Sequence, residues 1–139
     1  MTRTLLVIDD NNSVRESLRF LLERRGYTVL VAENGPEGIA LASQHAVDGA
    51  MVDVNMPGMN GITVCKALRA RATETGRNIA VWMMTGARTP ELTKAAAEAG
   101  ALTLLPKPFD LTELFRQFDA QFGGPPEQPK SPPDVLDAL

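Results

Sequence analysis

The sequence predicts an α/β protein in which the strands of one parallel sheet alternate with helices along the chain. Compact apolar runs typical of buried strands alternate with segments whose apolar residues recur at helical spacing. Asn, Thr or Asp precedes several of the helical segments, and Gly follows them, as is usual at helix ends. A chain of 139 residues with 44% hydrophobic residues has the size and apolar content of one folded domain.

The N-terminal part of the chain holds two strand–helix units. Thr4 to Ile8 is an apolar run that predicts the first strand. Helix one is indicated by apolar residues at i, i+4, i+7 and i+8, namely Val14, Leu18, Leu21 and Leu22. Gly26 ends this helix, and Tyr27 to Ala32 predicts the second strand. The second helix opens at Asn34 and ends near Gln44.

The middle of the chain holds the third strand, the third helix and the fourth strand. Val47 to Val52 predicts the third strand, which leads directly into Asp53 and a loop with Pro57 and Gly58. Asn60 is placed to cap a third helix that runs to about Ala72. Ile79 to Met84 predicts the fourth strand.

The last two helices have clear starting signals. Thr89 is an N-cap followed by Pro90 at the first helical position, and Gly100 ends this alanine-rich fourth helix. Ala101 to Leu105 predicts the fifth strand. Asp110 caps the fifth helix, whose apolar stripe consists of Leu111, Leu114, Phe115, Phe118 and Phe122. This stripe is interpreted as a face that packs on the core.

The composition changes abruptly at Gly123. The segment from Gly123 to Pro133 holds five prolines and no large apolar residue, so it cannot bury enough surface to offset the entropy of ordering. Asp134 to Leu139 is too short for a domain. We therefore predict a folded domain over residues 1–122 and a proline-rich, disordered tail over residues 123–139.

Composition and charge exclude several classes of function. The formal charge of −3 and the pI of about 5.1 do not favour nucleic-acid binding. The N-terminus lacks a signal-peptide pattern, and no apolar run has the length of a membrane span, so we expect a cytoplasmic protein with no membrane partner. Cys65 is the only cysteine, which excludes an internal disulfide, and its half-apolar helical setting predicts a buried, unreactive thiol.

Polar side chains follow four of the predicted strands. They are Asp9 and Asp10 after the first, Asp53 after the third, Thr85 after the fourth and Lys107 after the fifth. In a parallel sheet these strand ends lie at one edge, which would bring the side chains together. Three carboxylates repel one another and require a cation, which Lys107 and a hard divalent ion such as Mg²⁺ would supply. The pattern indicates a site that handles a phosphoryl group.

The same motifs resemble those of a known family. Asp9-Asp10, Asp53 with Asn55-Met56-Pro57-Gly58, Thr85 and Lys107-Pro108-Phe109 are similar to the receiver domain of bacterial two-component response regulators, the family of the chemotaxis protein CheY. The resemblance covers roughly residues 3 to 122. It implies a flavodoxin-like, doubly wound fold of five strand–helix units with the strand order 2-1-3-4-5, for which the family is itself the standard example.

The resemblance also implies a set of metal ligands. Asp10 and Asp53 would bind Mg²⁺ directly, and Asp9 would act on it through water. Asn55 would contribute its backbone carbonyl, so its side chain is free to vary. Mg²⁺ keeps several waters and accepts few carboxylates, which is consistent with this set.

The remaining roles concern the phosphoryl group. Asp53 would be the phosphoacceptor, since a carboxylate can attack phosphorus to give an aspartyl phosphate. The resemblance implies that the Lys107–Pro108 peptide bond is cis. Lys107 would pair with one phosphoryl oxygen, and the Thr85 hydroxyl would donate to another. The donor would be a phosphohistidine on a histidine kinase or histidine phosphotransfer protein. The receiver would catalyse only its own phosphorylation and dephosphorylation, and would switch binding to a downstream protein.

Two positions depart from the family pattern. Receivers commonly have Tyr or Phe three residues before the lysine, and this chain has Leu104 there. Pro106 removes a backbone donor near the end of the fifth strand. Both changes affect how a signal would leave the site rather than the phosphorylation chemistry.

Other polar residues have simpler interpretations. Arg15, Arg19, Arg24 and Arg25 lie on or near the polar side of helix one, which is typical of a solvated face, although this helix docks phosphodonor partners in the family. His45 lies far from the motifs and is interpreted as a surface residue.

Three alternative interpretations can be compared with the sequence. A phosphatase of the haloacid dehalogenase type needs an acid two residues after the nucleophile, where this chain has Asn55. A nucleotide or flavin site needs a glycine-rich turn after the first strand, where this chain has paired aspartates. A receiver module cut from a larger response regulator or hybrid histidine kinase remains an open alternative.

Overall fold

A single parallel sheet forms the centre of the molecule. The structure, a computed structural model, describes residues 2–123. Its strands are β1 (Thr4–Ile8), β2 (Thr28–Ala32), β3 (Gly49–Asp53), β4 (Ala80–Thr85) and β5 (Thr103–Pro106). They pair in the order β2-β1-β3-β4-β5, and every neighbouring pair is parallel. The predicted α/β fold with strand order 2-1-3-4-5 is therefore confirmed.

Four helices connect the strands and a fifth follows β5, and all five helices of residues 2–123 begin at polar caps. They are α1 (Asn12–Arg24), α2 (Gly35–Gln44), α3 (Gly61–Thr75), α4 (Pro90–Glu98) and α5 (Leu111–Phe122). In each helix the side chain of the N-cap residue accepts a hydrogen bond from a first-turn N–H group, and these caps are Asn11, Asn34, Asn60, Thr89 and Asp110. The helix starts predicted at Asn34, Asn60, Thr89 and Asp110 are confirmed.

Several predicted element ends were wrong by one to three residues. The third strand begins at Gly49 rather than Val47, because Gly49 is the first residue of this segment that is in register with both β1 and β4. The fifth strand begins at Thr103 rather than Ala101. The third helix continues past Ala72 to Thr75, where Gly76 takes a left-handed conformation and ends it.

The two faces of the sheet carry separate apolar layers. On one face α2, α3 and α4 contribute the buried residues Ala42, Val64, Leu68 and Ala96. On the other face α1 and α5 contribute Leu18, Leu22, Leu114 and Phe118. Trp82 of β4 lies in this second layer, with its ring centroid 4.7 Å from that of Phe118. The predicted core role of the α5 stripe is confirmed for Leu114 and Phe118, and the partly buried Phe115 and Phe122 pack against them. It was wrong for Leu111, which is 37% exposed.

The predictions of a buried Cys65 and a surface-exposed His45 are confirmed. The Cys65 thiol is fully buried against the carbonyl of Ala99, and burial raises its pKa to about 11. His45 is exposed at the C-terminal end of α2. Neither residue lies near the strand ends that carry the predicted site.

The end of the described chain coincides with the end of α5. Gly123 has a left-handed conformation, and its N–H donates to the carbonyl of Asp119 at 2.9 Å. The rest of the predicted tail, residues 124–139, lies outside the described residues. None of the helices within residues 2–123 has the length and apolar character that crossing a bilayer requires.

Candidate functional site

Three carboxylates meet at the carboxyl edge of the sheet. Asp9 and Asp10 follow β1, and Asp53 is the last residue of β3, two strands that are neighbours. One carboxylate oxygen of each lies within 4.8 Å of the others. Asp9 is fully buried and Asp53 is 5% exposed, whereas Asp10 is exposed. The predicted convergence of these residues is therefore observed.

Lys107 joins this cluster from β5 on the far side of β4. Its Nζ donates to Oδ2 of Asp9 at 2.7 Å and to Oδ1 of Asp53 at 3.3 Å. The Lys107–Pro108 peptide is cis, as the family resemblance implied. The ammonium group bridges two carboxylates that are 98 and 54 residues away in sequence.

The electrostatics of the cluster show an excess of negative charge. Burial and the neighbouring charge of Asp9 raise the pKa of Asp53, and Lys107 offsets part of this rise. Burial alone lowers the pKa of Lys107, but its hydrogen bonds to Asp9 and Asp53 and their charges outweigh burial and raise it. One ammonium group therefore does not neutralise three carboxylates.

This donor set fits a hard divalent cation. The cluster offers carboxylate oxygens, which Mg²⁺ prefers, and carries more negative charge than Lys107 compensates. The Asp10 carboxylate has no hydrogen-bond or ion-pair partner within residues 2–123, so it is available as a ligand. Asn55 lies beside Asp10 in an open pocket that Met56, Pro57 and Asn60 also line.

Thr85 lies at the same edge but points into its own loop. It is the last residue of β4 and is fully buried. Its hydroxyl accepts the Ala87 N–H at 3.1 Å. No hydrogen bond joins this hydroxyl to the carboxylates within the described part of the chain. The structure thus places Thr85 at the predicted strand end without bringing its hydroxyl into the cluster.

The two departures from the family pattern have simple structural consequences. Leu104 is buried, and its carbonyl accepts a hydrogen bond from Nη1 of Arg88 at 3.3 Å, which connects β5 to the loop after β4. Pro106 lies on an edge strand opposite Thr85. The backbone N–H of Lys107 donates to the Thr85 carbonyl at 2.8 Å, so the ladder continues past the proline.

Two residues that contact the backbone of the site were not predicted from the sequence. Nη1 of Arg15 donates to the backbone carbonyl of Asp9 at 2.8 Å, although the helix pattern assigned Arg15 to a solvated face. Gly61 is packed so closely that a Cβ there would overlap the backbone of Asp53 and Val54. Gly61 follows the cap residue Asn60, and no sequence signal distinguishes it from other glycines at helix starts.

Comparisons with known proteins agree with this geometry. A family model described as the response regulator receiver domain matches residues 5–119. Response regulator MprA of Mycobacterium sp. (strain KMS) is 38% identical over 130 residues, covering 92% of this chain and 55% of that protein. MprA of Mycolicibacterium vanbaalenii is 38% identical over 116 residues, covering 84% of this chain and 48% of that relative. The chain spans about half the length of these curated relatives.

Solved structures show the same architecture. Chemotaxis protein CheY4 of Vibrio cholerae superposes with a TM-score of 0.79 at 30% identity, covering 86% of this chain and 98% of that chain. The signal receiver domain of a DNA binding response regulator from Colwellia psychrerythraea 34H has a TM-score of 0.79 at 28% identity, covering 87% and 98%. Fold, strand order and family model agree over nearly all the described residues, and on this evidence the chain belongs to the response regulator receiver domain family of two-component systems.

Proposed function

We propose that this receiver accepts a phosphoryl group from a phosphohistidine onto Asp53, with Mg²⁺ bound, and thereby changes its affinity for a protein partner. The observation that carries the proposal is the Lys107 ammonium group, which contacts Asp9 and Asp53. Beside them lies a third carboxylate, that of Asp10, which has no partner among residues 2–123. Such an arrangement holds a nucleophile and a positive charge together at the place where a phosphoryl group would arrive.

Phosphoryl transfer needs little covalent chemistry from the protein beyond the nucleophile. An Asp53 carboxylate oxygen forms a bond to phosphorus while the phosphorus–nitrogen bond of the donor breaks, and the imidazole leaves with the electron pair. Lys107 would exchange its contact with Oδ1 of Asp53 for a phosphoryl oxygen. Thr85 would turn its hydroxyl from Ala87 toward the phosphoryl group. Bound Mg²⁺, held by Asp9, Asp10, Asp53 and the Asn55 carbonyl, would supply the remaining charge neutralisation.

The partners follow from this chemistry. The donor is a histidine kinase or a histidine phosphotransfer protein, and the recipient of the signal is a downstream protein whose identity the site does not encode. The protein acts on no separate substrate, since acceptance and hydrolysis both occur on its own Asp53. The expected compartment is the cytoplasm.

The proposed phosphorylation switch is compatible with a receiver module of a larger protein and with a stand-alone receiver. The MprA relatives are about twice as long as the matched segment, which favours a receiver module within a larger response regulator or hybrid kinase. The CheY4 chain is covered to 98%, which favours a receiver that acts alone. The proposed phosphorylation chemistry is identical in both.

The test is acceptance of a phosphoryl group from a small donor. The full chain is incubated with acetyl phosphate and Mg²⁺, and its intact mass is measured over time. Asp53→Asn is expected to abolish the mass increase, and EDTA to suppress it. Asp110→Asn is the matched control, because Asn still caps α5 and the residue lies outside the carboxylate cluster. Equal labelling of native protein and Asp53→Asn, or labelling insensitive to EDTA, would show the proposal to be wrong.

A further inference from the structure

Arg15 reaches from α1 to the backbone of the acidic loop. Its Nη1 donates to the Asp9 carbonyl at 2.8 Å, and its Nη2 donates to Oδ1 of Asn12 at 2.9 Å. The side chain is half-buried, unlike that of Arg19 one turn later. The contacted carbonyl belongs to the peptide that joins Asp9 to Asp10. Arg15 therefore holds the backbone from which the Asp10 side chain projects.

The three carboxylates differ in how they are held. The Asp9 carboxylate accepts hydrogen bonds from Lys107 and from the Asn11 N–H, the latter at 2.8 Å. The Asp53 carboxylate accepts one from Lys107. The Asp10 carboxylate is exposed and has no partner among residues 2–123. Its direction depends on its backbone, and the Asp9–Asp10 peptide is the part of that backbone that Arg15 holds.

We propose that Arg15 is a positioning residue for the cation site, which fixes the Asp9–Asp10 peptide so that the Asp10 carboxylate converges with Asp9 and Asp53 before the ion arrives. The inference rests on the proposed function in one respect, namely that a divalent cation binds at this cluster. Contacts that orient metal ligands without touching the metal commonly change metal affinity about tenfold or more when they are removed.

The direction in which Mg²⁺ affinity changes when Arg15 is removed distinguishes a positioning role from a purely electrostatic one. A guanidinium group near three carboxylates repels a cation, so its removal should tighten Mg²⁺ binding slightly if charge alone mattered. Loss of a positioning contact should weaken binding instead. Arg19 provides the matched control, since it is an exposed arginine on the same helix that pairs with Glu16 at 3.4 Å.

The experiment is a titration of the full chain with Mg²⁺ alone, followed by amide NMR shifts. Arg15→Ala should bind Mg²⁺ about three- to tenfold more weakly than the native protein, and Arg19→Ala should bind equally or slightly more tightly. Arg15→Lys keeps the charge but replaces the planar fork with one ammonium, and should recover part of the affinity. In labelling with acetyl phosphate, saturating Mg²⁺ should restore the Arg15→Ala rate, since the defect lies in ion binding.

The outcomes distinguish failure of the positioning role from failure of the cation site. Equal or tighter Mg²⁺ binding by Arg15→Ala would overturn the positioning role while leaving the proposed function intact. If Arg15→Ala does not fold, Arg15→Lys decides: weaker binding than native supports the role, and equal or tighter binding overturns it. Absence of saturable Mg²⁺ binding by the native protein would overturn both the cation site and the role assigned to Arg15.

Discussion

At the scale of single residues, the site depends on one ammonium group that contacts two carboxylates. Lys107 is held by Asp9 and Asp53, so its charge stabilises both buried acids in the described state. Asp53 nevertheless retains a raised pKa, because burial and the charge of Asp9 exceed the effect of Lys107. The lysine thus prepares the site for a phosphoryl group without removing the need for a cation.

Substitution of Lys107 should separate ion binding from the response to a phosphoryl group. Lys107→Ala removes a positive charge beside the cation site, so Mg²⁺ affinity should stay equal or become tighter. The same change removes the partner of a phosphoryl oxygen, so the shifts induced by beryllofluoride with Mg²⁺ should shrink. Amide NMR measures both effects. Lys94→Ala, on the exposed side of α4, is the control, and a large loss of Mg²⁺ affinity in Lys107→Ala would contradict the assigned role.

At the scale of elements, the connection from β3 to α3 holds the phosphoacceptor in place. The Val54 N–H donates to the Met84 carbonyl at 2.9 Å, which ties the residue after Asp53 to β4. The Gly61 N–H donates to the Val54 carbonyl at 3.0 Å. The start of α3 thereby packs directly against the backbone of Asp53, and only a residue without a Cβ fits there.

Substitution of Gly61 should therefore destabilise the protein. Gly61→Ala places a Cβ against backbone atoms of Asp53 and Val54, which cannot yield as a flexible side chain would, and should cost about 1–3 kcal/mol of unfolding free energy. Gly86→Ala is the matched control, because a Cβ there meets no atom within 4 Å, and its effect should stay within about 0.5 kcal/mol. Urea denaturation measures both values, and equal stability of the two variants would refute the close-approach argument.

Helix starts were more predictable from the sequence than the bounds of strands. The cap residues Asn60, Thr89 and Asp110 predict the helix starts from local sequence. Each side chain accepts a hydrogen bond from a first-turn N–H only a few residues away. Strand ends depend on which neighbouring strand is still in register, and this information lies far away in the chain. The third strand accordingly begins at Gly49, where it is in register with both β1 and β4, rather than at Val47.

At the scale of the whole molecule, two apolar layers cover the sheet, and α5 contributes the last described residues of one of them. Phe118 packs against Trp82 and Tyr27, which joins α5 to β4 and to the start of β2. The Trp82 indole N–H also donates to Oε1 of Gln117 at 3.2 Å. The described core therefore draws its last contributions from α5.

Removal of the predicted tail should leave the domain intact. A chain that ends at Gly123 keeps the five described helices and the hydrogen bond from the Gly123 N–H to the Asp119 carbonyl, so its unfolding free energy should lie within about 0.5 kcal/mol of the full chain. Its Mg²⁺ affinity should be unchanged. Urea denaturation and Mg²⁺ titration check both expectations. A loss of cooperative unfolding would show that residues 124–139 belong to the domain.

The sequence by itself determined the fold class and the convergence of Asp9, Asp10, Asp53 and Lys107 at one edge of the sheet. Alternating strand and helix periodicity specifies strand–helix units, and polar residues after strands gather at one edge of a parallel sheet. The strand order followed from the family resemblance rather than from local patterning.

Only the tertiary structure decided how the gathered groups are oriented. It turned the Thr85 hydroxyl toward Ala87, joined Arg15 to the Asp9 carbonyl and brought α3 against the backbone of Asp53. Each of these features depends on the packing of neighbouring elements and on side-chain rotamers. Local sequence patterns encode which face of an element is buried, and they do not encode which atoms of another element meet that face.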